Sequence, residues 1–459
     1  MIRSDIIAAI STPPGKGGVA LIRLSGEGAI GLAEEFFSAA SKKSIKDYPL
    51  RTQIYGFVTD GERTLDDGML TCFGAGASYT GEETVEITCH GGILITELVL
   101  ARVLKAGARV AEAGEFTRRA FLNGSLSLSD AESIGLLLEA KSEEQVALAG
   151  KDARDRLSEK ILAISKKMTE LLGSVYARID YPDEDLGDYT DGEMLDMLQS
   201  IGDELDFLIA TYRTGHSIAE GIDTAIIGRP NVGKSSLYNL LCRRDAAIVT
   251  DIAGTTRDVL EETVTLGRVT LRLADTAGIR EDSTDPVELI GIERSRSRLE
   301  RCELLLAVID ASEGEDAELA ASVGNSVAAK IAIYNKVDKI AGGFSPVCPC
   351  GFDRAIAVSA VASPEEAREA IRLAVEELFI DGRIEVGADA IISSARQRAE
   401  LAEAREAISA AAEAIRSGVF ADAASSDVEI ALGAISRVDG RAVSEAVVDN
   451  IFSRFCVGK

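Results

Sequence analysis

Histidine is almost absent from this chain of 459 residues: only His90 and His216 carry an imidazole, and neither lies in a nucleophile motif. Histidine-based metal sites and triad chemistry therefore have few places to sit. No apolar run approaches the length a bilayer span needs, and the opening MIRSDIIAAISTPPGKGG lacks the charged-then-apolar pattern of a signal peptide. This reads as a soluble cytoplasmic protein with no membrane partner. Cysteine offers no disulfide framework, because the seven thiols (72, 89, 242, 302, 348, 350 and 456) are scattered and odd in number. Cys348-Pro349-Cys350 has no second cysteine pair and no nearby histidine, and reads as a surface turn. The last shortage is positive charge. With 49 basic against 75 acidic residues the net charge is −26, and such an excess repels phosphate backbones unless a local basic patch overrides it. Tight nucleic-acid binding by this chain alone is disfavoured.

What is present is length and a change of texture along it. At roughly 150 residues per domain the chain divides into about three. Residues 1–122 mix short β-type runs, Gly18–Leu24 and Thr84–Cys89, with helical spacing at Ile30–Phe37 and Ile93–Leu104, and read as an α+β domain. From Leu128 to Ile179, and again after the acidic loop Tyr181–Asp185 through Thr211, long Ala/Leu/Glu/Lys-rich segments predict helices. Ser393–Ile415 and Val428–Phe452 return to that texture. The expected architecture is multidomain α/β: an N-terminal α+β domain, a discontinuous helical domain (123–219 and 384–459), and a nucleotide domain (220–383) inserted between two helices, where chain ends lie close together.

The insert carries the chemistry. Gly228-Arg229-Pro230-Asn231-Val232-Gly233-Lys234-Ser235 fits the phosphate-loop pattern, preceded by the short strand Thr224–Ile227 and followed by the helix Ser236–Leu241. Backbone N–H groups of the turn and the helix N-terminus cradle phosphates, Lys234 neutralises them, and the Ser235 hydroxyl suits Mg2+. Gly254-Thr255-Thr256 supplies a switch threonine; Asp275-Thr276-Ala277-Gly278 follows a strand at Val269–Leu273, and Asn335-Lys336-Val337-Asp338 follows one at Lys330–Tyr334. The Asp338 carboxylate accepts two hydrogen bonds from a guanine edge that adenine does not offer, and leaving those groups unpaired penalises ATP. Ser359-Ala360, after strand Ala355–Val358, completes an ordered GTPase set. The candidate GTP-contacting residues are Asn231, Val232, Gly233, Lys234, Ser235, Ser236, Thr250, Asp251, Ile252, Ala253, Gly254, Thr255, Thr256, Asp275, Thr276, Ala277, Gly278, Asn335, Lys336, Asp338, Ser359 and Ala360. Ile279 stands where Ras-like enzymes place the water-orienting glutamine. The carboxylates downstream, Glu281, Asp282, Asp285 and Glu288, are the available replacements. No arginine finger is assignable.

The segments GRPNVGKSSLYN, AAIVTDIAGTTRDV, DTAGIR and ELIGIER resemble the TrmE–Era–Der group of GTPases. The ending Phe455-Cys456-Val457-Gly458-Lys459 and the N-terminal segments TPPGKGGVALIRLSG, SYTGEETVEITCHGG and GEFTRRAFLNG resemble its tRNA-modification branch, whose N-terminal domain binds tetrahydrofolate and dimerises. That resemblance implies a K+ site at Asn231 and the backbone around Thr250, Ile252 and Thr255, the cation replacing an arginine finger, with Ser235 and Thr256 as Mg2+ ligands. Glu288 aligns with the water-activating glutamate, and Arg280 with a residue of the same switch. Arg23, Glu86 and Lys459 match folate-pocket positions for a 5-formyl or methylene tetrahydrofolate derivative. Ser125 stands where lysine is usual, so one cationic contact is missing or falls to a neighbour such as Arg118 or Arg119. Cys456 matches a functional thiol near the modification site, and Lys459 beside it favours the thiolate. The implied activity is potassium-stimulated GTP hydrolysis. It serves addition of an aminomethyl-type (carboxymethylaminomethyl) group at carbon-5 of the wobble uridine of certain tRNAs. The implied assembly is a homodimer joined to a flavoprotein (MnmG, also called GidA) as a heterotetramer, the tRNA bound mainly through that partner. The alternative, a ribosome-assembly GTPase of Era or Der type, would bring an RNA-binding module with a Gly-x-x-Gly loop or a second nucleotide cassette, and neither is in the sequence.

Overall fold

Alternation of apolar and polar residues builds the N-terminal sheet. Its strands are β1 (Ile7–Ile10), β2 (Val19–Ser25), β3 (Phe37–Ala39), β4 (Gln53–Asp60), β5 (Arg63–Phe73), β6 (Thr84–His90) and β7 (Arg109–Val110), in the spatial order β3-β4-β5-β6-β2-β1-β7. Every pairing is antiparallel except β1 with β7. Helices α1 (Ala29–Ala33), α2 (Ile93–Ala106), α3 (Glu115–Leu122) and α4 (Leu128–Glu139) accompany it. Ile22 and Leu24 of β2, Ile54 and Val58 of β4, and Val85 and Ile87 of β6 form one core with Val99 and Val103 of α2. The period of two then turns Arg23 and Glu86 to the opposite face, which carries its own small cluster of Ile7, Ala9, Ala111 and Phe116.

The structure is a computed structural model describing residues 5–61, 63–180, 189–242, 262–273, 302–313, 326–417, 421–453 and 455–458. These fall in two compact units, Met1–Leu138 with Ile435–Lys459, and Glu139–Ala434. One expectation in the first unit fails. Helical spacing at Ile30–Phe37 predicts a helix, but only Ala29–Ala33 is helical, and Phe37 opens β3 opposite Val58. Phe36 and Phe37 are both buried, and the edge pairing satisfies backbone groups that a longer helix would have withdrawn from β4.

The second unit begins with helices α5 (Glu143–Ala149), α6 (Lys151–Asp180) and α7 (Asp191–Ala219). On α6 the buried residues Ala153, Leu157, Ile161, Ile164, Met168, Leu171 and Val175 recur every three or four positions, the stripe of an amphipathic helix. A capping box of Thr190 and Glu193 starts α7. A parallel sheet follows, made of β8 (Ile222–Ile227), β9 (Glu262–Leu266), β10 (Val269–Leu273), β11 (Leu304–Asp310), β12 (Ala329–Asn335) and β13 (Arg354–Ala357), with α8 (Lys234–Cys242) and α9 (Pro364–Phe379). The order is β13-β12-β11-β8-β10-β9, with only β9 antiparallel. All seven residues of β11 are buried, as both-face coverage of a parallel sheet demands. Helix α10 (Ala395–Arg416), started by a Ser394–Gln397 capping box, packs along α7. Gly215 on α7 permits that approach to the chain before α10: a Cβ there would lie 2.2 Å from the Ile392 carbonyl oxygen. Helix α11 (Ala421–Asp439) and helix α12 (Glu445–Ser453) close the chain, separated by Gly440 at φ +89°. Among the described residues no helix is long and apolar enough to cross a membrane.

Candidate functional site

The nucleotide loops gather at the C-terminal ends of the parallel strands, where open α/β sheets place ligands. Gly228 follows β8, Asp310 ends β11, and Asn335 ends β12. Asn335 ties two of them together, its side-chain amide donating to the Val232 carbonyl at 3.0 Å while its carbonyl accepts the Ala360 N–H at 3.1 Å. Gly233 has φ +104°, and a Cβ there would sit 2.2 Å from that same Asn335 amide nitrogen. Lys336, held in the left-handed region at φ 64°, reaches the Asn231 carbonyl at 2.5 Å and Asp310 at 2.8 Å. The Ser359 hydroxyl donates to Asp338 at 2.5 Å. Lys234 donates to the Gly228 and Arg229 carbonyls at 2.9 and 2.7 Å, so its ammonium lies inside the loop that the motif assigns to phosphates. Ser235 and Ser236 stand in the first turn of α8.

Asp310 is a member that sequence reasoning missed. Its carboxyl is held down at about 2 by the Lys336 ammonium and the Ser312 hydroxyl and N–H, and it fixes the lysine that in turn holds Asn231. In the sequence it shows only as a single acid closing the otherwise apolar strand LLLAVID, a pattern that acquires meaning once Lys336 is placed beside it. Thr250, Asp251, Ile252, Ala253, Gly254, Thr255 and Thr256 lie outside the described residues. So do Asp275, Thr276, Ala277, Gly278, Ile279, Arg280, Glu281, Asp282, Asp285, Glu288 and the terminal Lys459.

The N-terminal candidates are assembled across strands rather than along one. Arg23 and Glu86 are direct partners in the β2–β6 ladder, with Nε and a terminal nitrogen of Arg23 at 2.9 and 2.8 Å from one Glu86 oxygen. The Arg23 guanidinium also lies over the rings of Tyr79 and Phe116, 5.3 and 5.7 Å from their centroids. β2 is an interior strand, between β6 and β1, and the Arg23 side chain is only 15% exposed there. Ser125 is exposed, its N–H bonded to the Ala120 carbonyl at 2.8 Å. Neither arginine considered as its substitute is unengaged. Arg119 is buried with Asp5, Glu82 and Glu115 as partners at 2.8, 3.2 and 3.1 Å, and Arg118 pairs with Asp449 at 2.8 Å. Arg109 completes the first cluster, bonded to Glu115 and Asp5.

The C-terminal tail docks on this same unit. The Cys456 carbonyl accepts the Gly114 N–H at 3.3 Å, Val457 bridges Ala113, and the Gly458 carbonyl accepts the Ser11 hydroxyl at 2.9 Å. Gly458 has φ +99°, and a Cβ there would fall 2.3 Å from the Ile10 carbonyl oxygen, which requires glycine. Cys456 is exposed, and the tail brings it to the unit that holds Arg23 and Glu86.

A family model for the MnmE helical domain matches residues 128–456, and one for the N-terminus of the GTP-binding protein TrmE matches residues 6–125. The chain belongs to the MnmE family of tRNA modification GTPases. It is 38% identical over 462 residues to the tRNA modification GTPase MnmE of Carboxydothermus hydrogenoformans, with 99% of both chains covered. The MnmE proteins of Moorella thermoacetica and Geobacillus kaustophilus are 40% identical over 467 residues and 39% over 476, covering 99% and 100% of both chains. The likeness extends over 99% or more of the chain.

Proposed function

We propose that the chain is a GTP hydrolase of tRNA modification, whose GTP cycle serves addition of a carboxymethylaminomethyl-type group at carbon-5 of the wobble uridine. What carries the reading is the full-length likeness to tRNA modification GTPases, joined to the convergence of Asn231, Lys336 and Asp338 at one sheet edge. In this reading Asn335, Asp338, Ser359 and Ala360 recognise guanine, and Asn231 to Ser236 hold the phosphates. Ser235 and Thr256 would hold Mg2+, which would neutralise phosphate charge; Asn231 with the Thr250, Ile252 and Thr255 backbone would hold K+. A fixed positive charge there stabilises the negative charge that develops between the β- and γ-phosphates. Glu288 orients the attacking water in place of the glutamine that Ile279 displaces.

In the N-terminal unit the Arg23–Glu86 pair offers a fork of donors and an acceptor beside two aromatic rings, a donor set that suits a pterin edge. A tetrahydrofolate derivative there, with Lys459, would supply the one-carbon unit. Cys456 stands on the tail docked to the same unit. With Arg118 and Arg119 engaged in ion pairs, the contact usual at position 125 has no substitute from them. The assembly is a homodimer that works with a flavoprotein partner in the cytoplasm. Two measurements test the proposal. GTP turnover in K+ against Na+, for the wild type and Glu288→Ala, is expected to fall in Na+ and to collapse in the variant; full rates in both overturn the mechanism. Nucleoside analysis of tRNA from a strain lacking the protein is expected to show unmodified wobble uridine, and unchanged tRNA overturns the function.

A further inference from the structure

A net charge of −26 holds the chain as a whole away from phosphate backbones, yet one surface segment runs against it. Between β3 and β4, Ser41–Arg51 carries Lys42, Lys43, Lys46 and Arg51 against the single acid Asp47, and all four cations are exposed. Two carboxylates beside it are already engaged: Glu34 at the end of α1 accepts the Ser44 hydroxyl and holds Lys46 at 2.9 Å, which keep its carboxyl below the usual range, and Asp67, opposite Phe57 on β5, accepts the Tyr55 hydroxyl at 3.1 Å. Arg51 donates to the neutral Ala77 carbonyl at 2.8 Å.

The backbone of this segment is unusual as well. Lys42 and Arg51 both sit in the left-handed region at φ 63°; among the described residues the other non-glycines with positive φ are Asn231 and Lys336, both at the nucleotide loops. Such a conformation costs about 1–3 kcal/mol and persists only where its surroundings over-determine it. Here the Lys42 N–H is tied to the Ala39 carbonyl and the Arg51 N–H to the Cys72 carbonyl, each at 2.8 Å. Lys42 and Lys43 line a depression of about 480 Å³ with Ser44 and Phe57. Phe57 and the exposed Tyr55 lie two apart on the outward side of β4, edge to face at 5.7 Å.

We propose that this face binds an unpaired segment of RNA, its phosphates on Lys42, Lys43 and Arg51 and a base against Phe57. Cations flanking aromatic rings on an open sheet face are what single strands require, because every base has a π-face and every linkage a charge. The proposal rests on the tRNA-modification reading and adds that this acidic chain makes its own contact with the tRNA. The test uses the full-length chain with a labelled, unmodified tRNA transcript, its binding followed by fluorescence anisotropy across a salt series. Lys42→Glu/Lys43→Glu is expected to weaken binding about tenfold at low salt and to flatten the log–log salt slope by about 1.4, two single-strand phosphate contacts. Phe57→Leu is expected to weaken binding about fivefold with the slope unchanged, as lost stacking does. An unshifted urea transition of the N-terminal unit in both variants confirms that they fold. Wild-type affinity and slope in the charge variant overturn the proposal. So does full displacement of the transcript by polyglutamate with no effect of Phe57→Leu, which would mark an acidic-peptide site. If the wild-type gene fails to restore wobble-uridine modification to a strain lacking it, the underlying reading fails instead.

Discussion

The two candidate sites of this chain are built on opposite plans. In the nucleotide unit the side chains mostly hold the protein's own backbone: Asn335 grips Val232, Lys336 grips Asn231, and Lys234 grips its own loop. Each comes from a short contiguous motif, and the parallel sheet needs only to bring strand ends together. In the N-terminal unit the groups come from separate elements, Arg23 from β2, Glu86 from β6 and Phe116 from α3. The tail is fastened there by a bond between Ser11 and Gly458, 447 positions apart. A contiguous motif carries its chemistry wherever the chain goes, whereas an assembled site exists only if the topology forms.

The largest effect should follow from breaking the first plan at its most local point. Asp338→Asn removes the carboxylate proposed to accept two guanine hydrogen bonds, each worth roughly 1.5–3 kcal/mol when charge-assisted, and leaves Ser359 its neighbour. GTP affinity is expected to fall by at least about a hundredfold, with xanthosine triphosphate gaining because its 2-oxo group can accept from the new amide. Calorimetry with both nucleotides decides this, and unchanged GTP affinity removes Asp338 from the base site. Nothing in the N-terminal unit should respond.

A smaller effect comes from the second plan. Arg23→Ala leaves Glu86 without its partner and strips a cation from the faces of Tyr79 and Phe116. The two side chains are 15% and 24% exposed, so water offsets part of the loss; about 2 kcal/mol of stability is expected to go. Urea unfolding reports it as an earlier first transition, and tetrahydrofolate binding by calorimetry should vanish. GTP affinity should stay at the wild-type value. If it falls together with folate binding, the two sites are coupled and the contrast between them is too sharp.

The same contrast governs what the sequence disclosed. The phosphate loop, Asn335–Asp338 and Ser359-Ala360 were readable with their flanking strands because spacing alone dictates them. Asp310 was not singled out, since a lone acid at a strand end means nothing until Lys336 arrives from the next strand. Arg23 and Glu86 had no visible reason to meet, 63 positions apart; only the resemblance named them, and only the β2–β6 register pairs them. Arg118 and Arg119 looked interchangeable as substitutes for a lysine at 125. The fold separates them, sending Arg119 into a buried cluster with Asp5, Glu82 and Glu115 and Arg118 to Asp449 on α12. The helix expected at Ile30–Phe37 was lost to an edge pairing that no local pattern encodes.

The smallest effect tests how the helices grip the nucleotide unit. His216 near the end of α7 stacks on Tyr212 at 5.2 Å, meets Glu303 at 3.3 Å through Nε2, and lies 3.9 Å from Glu220 through Nδ1. Arg272, paired with Asp223 at 2.8 Å, and Arg398 over the Tyr212 ring are the cations nearby. The hydrogen bond to Glu303 raises the His216 pKa above 6.5 despite burial. Burial pushes Glu303 up, but the bonds to His216 and the Asp223 N–H outweigh it and hold the carboxyl below 4.5. A raised histidine contributes stability that is complete below pH 6.5 and lost as pH climbs through its folded value; a depressed glutamate contributes above pH 4.5 and loses it on acidification. The pair therefore holds best in the window between, and its alkaline limb belongs to His216 alone. Raising pH from 5.5 to 8.5 is expected to destabilise this unit, read as a lower thermal midpoint. His216→Gln keeps a donor facing Glu303 but has no proton to lose, so it should abolish that limb and leave the acid limb in place. A variant that keeps the wild-type alkaline slope would mean that the α7 contact is held by Thr214 and Gln145 instead, whose bonds to the Phe379 carbonyl, the Asp381 N–H and the Ile218 carbonyl do not titrate.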